Sequence, residues 1–221
     1  MSLPGVDLAP EDLADVALAW PAERVATCPG RVSDFVTDEV QTPAGETIRR
    51  EYLVHPGAVA VIALDDRGRV AVVDQYRHPA GFRLVEPPAG LLDVADEDCL
   101  VAAQRELAEE AGLAAADWRV LVDLFTSPGC STESIRVFLA RGLSPVPAPE
   151  GFQREAEEAQ MSLGWARLED LVAAVFAGRV QSPTLVSGVL ALYGAQLGGV
   201  VGGLRQASAD WPARRSPRTT A

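Results

Sequence analysis

Residues 90–113 read GLLDVADEDCLVAAQRELAEEAGL, and the second half of this stretch is one short amphipathic helix. Leu100, Ala103, Leu107 and Ala111 recur at spacings of three and four, which places them on one buried stripe. Asp96 or Asp98 can cap its start, and Gly112 suits a left-handed stop. Glu106, Glu109 and Glu110 fall on a different face. Two of these carboxylates sit in the last turn, at the negative end of the helix dipole, which costs roughly 0.3–1 kcal/mol each. Glu106 and Glu110 also repel each other, by roughly 0.2–0.5 kcal/mol. Acidic runs on helices are commonly solvated faces. A face that breaks local rules without local compensation instead marks a functional site. The compensation that fits is a cation. Carboxylates with few His or Cys nearby suit a hard, oxygen-preferring ion such as Mg²⁺ or Mn²⁺.

The wider pattern sharpens this expectation. Arg105-Glu106-Leu107, Glu109-Glu110 and Gly112-Leu113, with Glu97 eight residues before Arg105 and Gly90 ahead of it, resemble the Nudix box, GX5EX7REUXEEXGU with U aliphatic. One departure is visible: six residues, not five, separate Gly90 from Glu97. Either the loop is one residue longer, or Asp96 takes the early acidic place. Three further stretches are similar to bacterial ADP-ribose pyrophosphatases. They are QYRHP (residues 75–79), EPPAG (86–90) and SPGCSTE (127–133), with Pro128 fifteen residues beyond Leu113. The lengthened box looks like the actinobacterial version of these enzymes.

That resemblance implies the Nudix fold, a mixed-sheet α/β/α sandwich, and an activity. The activity is metal-dependent hydrolysis of the pyrophosphate bond of ADP-ribose to AMP and ribose 5-phosphate. A broader nucleoside-diphosphate-sugar hydrolase is the alternative. A non-catalytic ADP-ribose sensor is disfavoured, because every box glutamate is present and no basic helix-turn-helix pattern appears. Glu106 and Glu110, one turn apart, are the expected principal ligands, with Glu109 and Glu97 in support. The resemblance adds the backbone carbonyl of Ala89 and implies two or more Mg²⁺ or Mn²⁺ ions. Arg105 cannot ligate a cation and is expected to orient the glutamates. Glu157 and Glu158, in the acidic stretch REAEEAQ (154–160), are the candidates for activating water, with Glu158 preferred. Arg50 and Arg77 are candidates for gripping phosphate, and Glu133 for accepting from a ribose hydroxyl. His78 is expected to pack or cap. In similar enzymes the N-terminal strands cross to a second subunit, so a homodimer is expected.

The rest of the chain is consistent with such an enzyme. Its 221 residues are enough for a sizeable core, and 48% are hydrophobic. A net charge of −12 disfavours nucleic acid and anionic membranes as partners. The same charge means that an anionic substrate needs local arginines or metal ions. Three scattered cysteines without a CXXC pair fit a reduced, cytoplasmic setting. The N-terminus lacks the basic and apolar regions of a signal peptide, and no stretch approaches the ~20 apolar residues of a membrane span.

Secondary structure follows from period and punctuation. Residues 31–40 and 47–54 are expected strands forming a hairpin platform, and 57–64 (GAVAVIAL) a strand buried on both faces. Residues 69–77 are its expected hairpin return across a DDRG turn. Further strands are expected at 82–86, 118–125, 134–140 and 161–167. Helices are expected at 168–177 and 183–197. This divides the chain into an N-terminal arm and platform (1–56), a hydrolase domain (57–204), and a tail (205–221) expected to be disordered.

Overall fold

The structure, a computed structural model, describes residues 9–10, 13–147 and 160–215. Its centre is β4 (Ala58–Ala63), whose six residues are all buried. A strand so apolar has no solvent face, and its two faces feed two cores. Ala58, Ala60 and Ile62 pack with Leu185, Val189 and Leu192, whereas Val59, Val61 and Ala63 pack with Ala103 and Leu107. The first set of partners lies on α3 (Pro183–Leu197), which packs with α2 (Leu168–Phe176). The second lies on α1 (Cys99–Ala111). Helices therefore cover both faces of the sheet, as the α/β/α sandwich requires.

Around β4 the sheet has five strands. In spatial order they are β11 (Arg205–Gln206), β8 (Leu113–Phe125), β9 (Ser134–Pro145), β4 and β7 (Ala89–Leu91). β4 runs parallel to β9, with Ala58 opposite Ile135, and antiparallel to β7, with Ala60 opposite Ala89. Both edges of β4 are thus taken. This is why β5 (Arg69–Arg77) does not return as the expected hairpin. An isolated bridge from Val70 to Leu64, just beyond β4's end, links the two, and β5 joins a second antiparallel sheet, between β10 (Ser162–Arg167) and β6 (Phe82–Glu86). The turn itself forms as expected, with the Asp65 side chain accepting from the Arg67 and Arg69 amides at 2.9 and 2.7 Å.

The platform is a third sheet, with β2 (Asp34–Gln41) paired to β3 (Thr47–Val54) in the expected hairpin. An unexpected strand, β1 (Ala22–Cys28), lies along β2's other edge. All seven of its residues are exposed, so it carries no hydrophobic alternation to reveal it. Residues 205–215, part of the tail expected to be disordered, are a second correction; residues 216–221 lie outside the described residues. Arg205 and Gln206 pair with β8, and Trp211 is only 6% exposed, packed in the core beneath α1. Among the described residues no helix is long and apolar enough to cross a membrane, and the three cysteines are free.

Candidate active site

α1 begins where its capping chemistry says it should. Asp98 caps it, accepting from the Leu100 amide at 2.8 Å. Gly112 ends it at φ 63°, in the left-handed region that costs glycine nothing, and its amide donates to the Ala108 carbonyl. Asp96 does not cap. It holds φ 60°, a left-handed bend within the lengthened loop. That bend leaves Glu97, not Asp96, facing Arg105.

Arg105 organises the acidic face. Its Nε and Nη2 donate to the two oxygens of Glu97, both at 3.0 Å. Its Nη1 donates to Glu106 at 2.6 Å and Glu109 at 3.1 Å. One guanidinium thus spans three carboxylates, in the fork geometry that lysine lacks. Its hydrogen bond to Glu97 and the charge of Glu106 hold Arg105 firmly protonated, and Arg105 in turn holds the Glu97 carboxyl below its ordinary range. Arg105 therefore bridges Glu97, Glu106 and Glu109 into one braced face.

β7 meets this face from the other side. Glu110 is buried, and its Oε2 accepts from the Ala89 amide at 2.9 Å. The Glu106 carboxylate fills the space beside Gly90: a Cβ there would lie 1.9 Å from Glu106 Oε1 and 2.0 Å from its Cδ. Glycine at position 90 thus leaves the room that the Glu106 carboxylate occupies. Ala89, Glu106 and Glu110 come together across twenty-one residues of sequence. Among the described residues no three or more His, Cys, Asp or Glu side chains are gathered closely enough to hold a metal ion as they stand. The donor set is nonetheless oxygen throughout, which suits Mg²⁺ or Mn²⁺.

The face lines a cleft of about 1010 Å³ that also takes in His55, Arg77, Glu86, Ala89, Gly90 and Glu133. Arg77 is in the cleft, but its Nε and Nη2 both bind Glu86 Oε2 at 2.8 Å. Glu133 accepts a short hydrogen bond from Thr126 Oγ1, and its Oε1 lies 3.6 Å from His55 Nε2. His55 Nδ1 accepts from the Gly57 amide at 3.0 Å, so its proton resides on Nε2, toward Glu133. Burial pulls the His55 pKa below its ordinary value, against the pull of Glu133.

Sequence reasoning gave His55 and Glu86 no role. Glu86 stood in the quoted EPPAG, and its burial beside an arginine was the signal available. Arg50 lies on β3 and lines a separate cleft of about 560 Å³, with Trp20, Tyr52 and Pro128. The platform is a sheet of its own, so alternation along β3 could not say which cleft it served. His78 is exposed and contacts Tyr76 edge-on. Glu157 and Glu158 lie outside the described residues.

Comparison with known proteins identifies the family. The chain is 47% identical over 169 residues to an ADP-ribose pyrophosphatase of Mycobacterium tuberculosis (strain ATCC 25618 / H37Rv), covering 76% of this chain and 80% of that protein. It is 42% identical over 115 residues to an ADP-ribose pyrophosphatase of Bacillus subtilis (strain 168), covering 52% and 62% respectively. A solved structure described as an ADP compounds hydrolase superposes with a TM-score of 0.65 at 20% identity, over 84% of this chain and 98% of the other, a likeness of fold. The NUDIX domain profile matches residues 54–185, the span that holds the braced carboxylates, β7 and most of the cleft lining. With that match over more than half its length, the chain belongs to the NUDIX domain family.

Proposed function

We propose that the chain hydrolyses the pyrophosphate bond of ADP-ribose, yielding AMP and ribose 5-phosphate. The observation that carries this is the Arg105-braced carboxylate face meeting Ala89 and Gly90 in the wall of one large cleft. At about 1010 Å³ the cleft lies at the upper end of small-molecule sites, roughly 300–1,000 Å³. That suits an extended ligand such as a nucleoside diphosphate sugar. The names of the two ADP-ribose pyrophosphatase relatives point to the same substrate.

Glu106 and Glu110, with Glu109, Glu97 and the Ala89 carbonyl, would hold a divalent ion, which would supply charge neutralisation at the pyrophosphate and acidify a water. Mg²⁺ or Mn²⁺ is the ion class, with two or more ions bound. Arg105 keeps the glutamates in register. Glu133, oriented by Thr126 and His55, accepts from a ribose hydroxyl. Arg77 exchanges its bond to Glu86 for one to phosphate. Glu158, or Glu157 beside it, orients the attacking water. The platform carries exposed apolar side chains, Phe35 and Leu53 among them, and forms the contact of a homodimer. Three free cysteines support a cytoplasmic setting.

The test is steady-state turnover across ADP-ribose, NADH, diadenosine polyphosphates and sugar nucleotides. The expected result is a kcat/KM for ADP-ribose at least tenfold above any sugar nucleotide, about 1.4 kcal/mol of transition-state preference. Equal or better turnover of GDP- or UDP-sugars would replace this substrate with the broader class.

A further inference from the structure

Beyond the matched residues 54–185, the chain returns to the back of the site. Arg136 on β9 is 3% exposed and receives it. Its Nε and Nη2 bind both oxygens of Asp123, at 2.8 and 3.0 Å. Its Nη1 and Nη2 donate to the carbonyls of Ala209 and Asp210, at 2.7 and 3.0 Å. Its guanidinium carbon lies 4.9 Å from the centre of the Trp211 ring. A buried arginine whose fork is divided between a carboxylate and two backbone carbonyls fixes that backbone in one place. Trp211 then seats in the core under α1, alongside Leu92 and Ala103. Its indole nitrogen is buried with no hydrogen-bond partner among the described residues, and the ring packs in the core and against Arg136.

What this anchorage delivers is Arg214. Its Nη1 donates to the Pro56 carbonyl and its Nη2 to the Leu92 carbonyl, at 3.3 Å for the latter. These two carbonyls flank the places where β4 begins and β7 ends, and the Leu92 amide donates back to Gly57 at 3.0 Å. Leu92 is also where the loop to α1 departs, the loop that holds Glu97 against Arg105. One guanidinium therefore ties the strand pair under Ala89 and Gly90 to the root of the loop carrying Glu97.

We propose that residues 205–214 form a clasp that sets the metal face from behind, with Arg214 as a positioning residue for Glu97, Arg105 and β7. It touches neither substrate nor metal. It works by limiting how far the 92–98 loop moves relative to β4. The inference rests on the acidic face holding a divalent ion.

The experiment compares wild type, Arg214→Ala and Trp211→Phe as full-length proteins. It reads Mn²⁺ binding by calorimetry and amide exchange of residues 92–98. Losing a group that hydrogen-bonds a metal ligand typically costs 10–100-fold in affinity, and Arg214 acts one contact further out, through the Leu92 carbonyl. Arg214→Ala is expected at the low end, a roughly tenfold weaker Mn²⁺ affinity, with faster exchange at 92–98 and kcat at saturating metal nearly kept. Trp211→Phe keeps an aromatic face toward Arg136 while dropping the indole nitrogen, and is expected to match wild type in both readouts. Unchanged exchange in Arg214→Ala, or faster exchange with wild-type Mn²⁺ affinity, overturns the clasp. If Arg214→Ala does not fold, Arg214→Lys keeps the charge without the fork and is judged by the same two readouts. A wild type that binds no Mn²⁺ breaks the metal reading itself, and the clasp's role in catalysis with it.

Discussion

Glu106→Gln and Glu110→Gln are each expected to lower kcat at least ~100-fold while the protein stays folded. Amide for carboxylate changes one charge and almost no volume. Glu110→Gln keeps an oxygen to accept from the Ala89 amide, so the junction of α1 with β7 survives. Glu106→Gln keeps an oxygen for Arg105 and relieves part of the like-charge repulsion with Glu110. Stability is therefore expected to hold or rise slightly, as measured by thermal unfolding. What disappears is anionic oxygen for a divalent ion. A group that stabilises charge developing in the transition state acts on the chemical step, so the loss belongs in kcat. A variant with near-wild-type kcat at saturating metal would remove that glutamate from the ligand set.

Gly90→Ala is expected to separate activity from stability more sharply. The added methyl would sit 1.9–2.0 Å from the Glu106 carboxylate, far inside contact distance. The obstructing atoms are the end of a flexible side chain, which can swing away at small cost. Gly90 is also absent from the residues with positive φ, so alanine fits its backbone. Removing glycine's freedom in the unfolded chain adds roughly 0.4–1 kcal/mol of stability at a compatible position. The expected variant is thus as stable as wild type or more so. It is nonetheless at least ~100-fold slower, because a displacement of about 1 Å at a reacting centre costs that much. A melting curve and a kcat measurement on the same preparation check both halves. Full activity would mean that Glu106 works from a position other than the one beside Gly90.

The parts of this fold legible in the sequence were those whose local rules agreed with one another. α1 announced itself through the stripe ending at Leu107 and Ala111, the Asp98 cap and the Gly112 stop. β4 did so through consecutive apolar residues buried on both faces. The acidic face was legible for the opposite reason, as a violation: no basic residue lies in the last turn of α1. β1 was illegible because an all-exposed edge strand leaves no period. Trp211 was missed because its burial depends on Arg136, seventy-five residues away, and not on any pattern in its own neighbourhood. β5 was rightly read as a strand and wrongly paired, since pairing depends on which edges of β4 other strands already hold. Arg77 and Arg50 show the same limit. Both are strand arginines, and only the assignment of their strands to different sheets sends one to the main cleft and the other to the second.

The central claim is that this carboxylate face runs a metal-dependent cleavage of ADP-ribose. The direct measurement is chromatographic product analysis of ADP-ribose incubated with the protein and Mg²⁺, with Mn²⁺, and in excess chelator. The account predicts AMP and ribose 5-phosphate in equal amounts with either ion, none in chelator, and recovery when the ion is restored. Product formation that persists in excess chelator, or ADP-ribose left intact with both ions present, would contradict it.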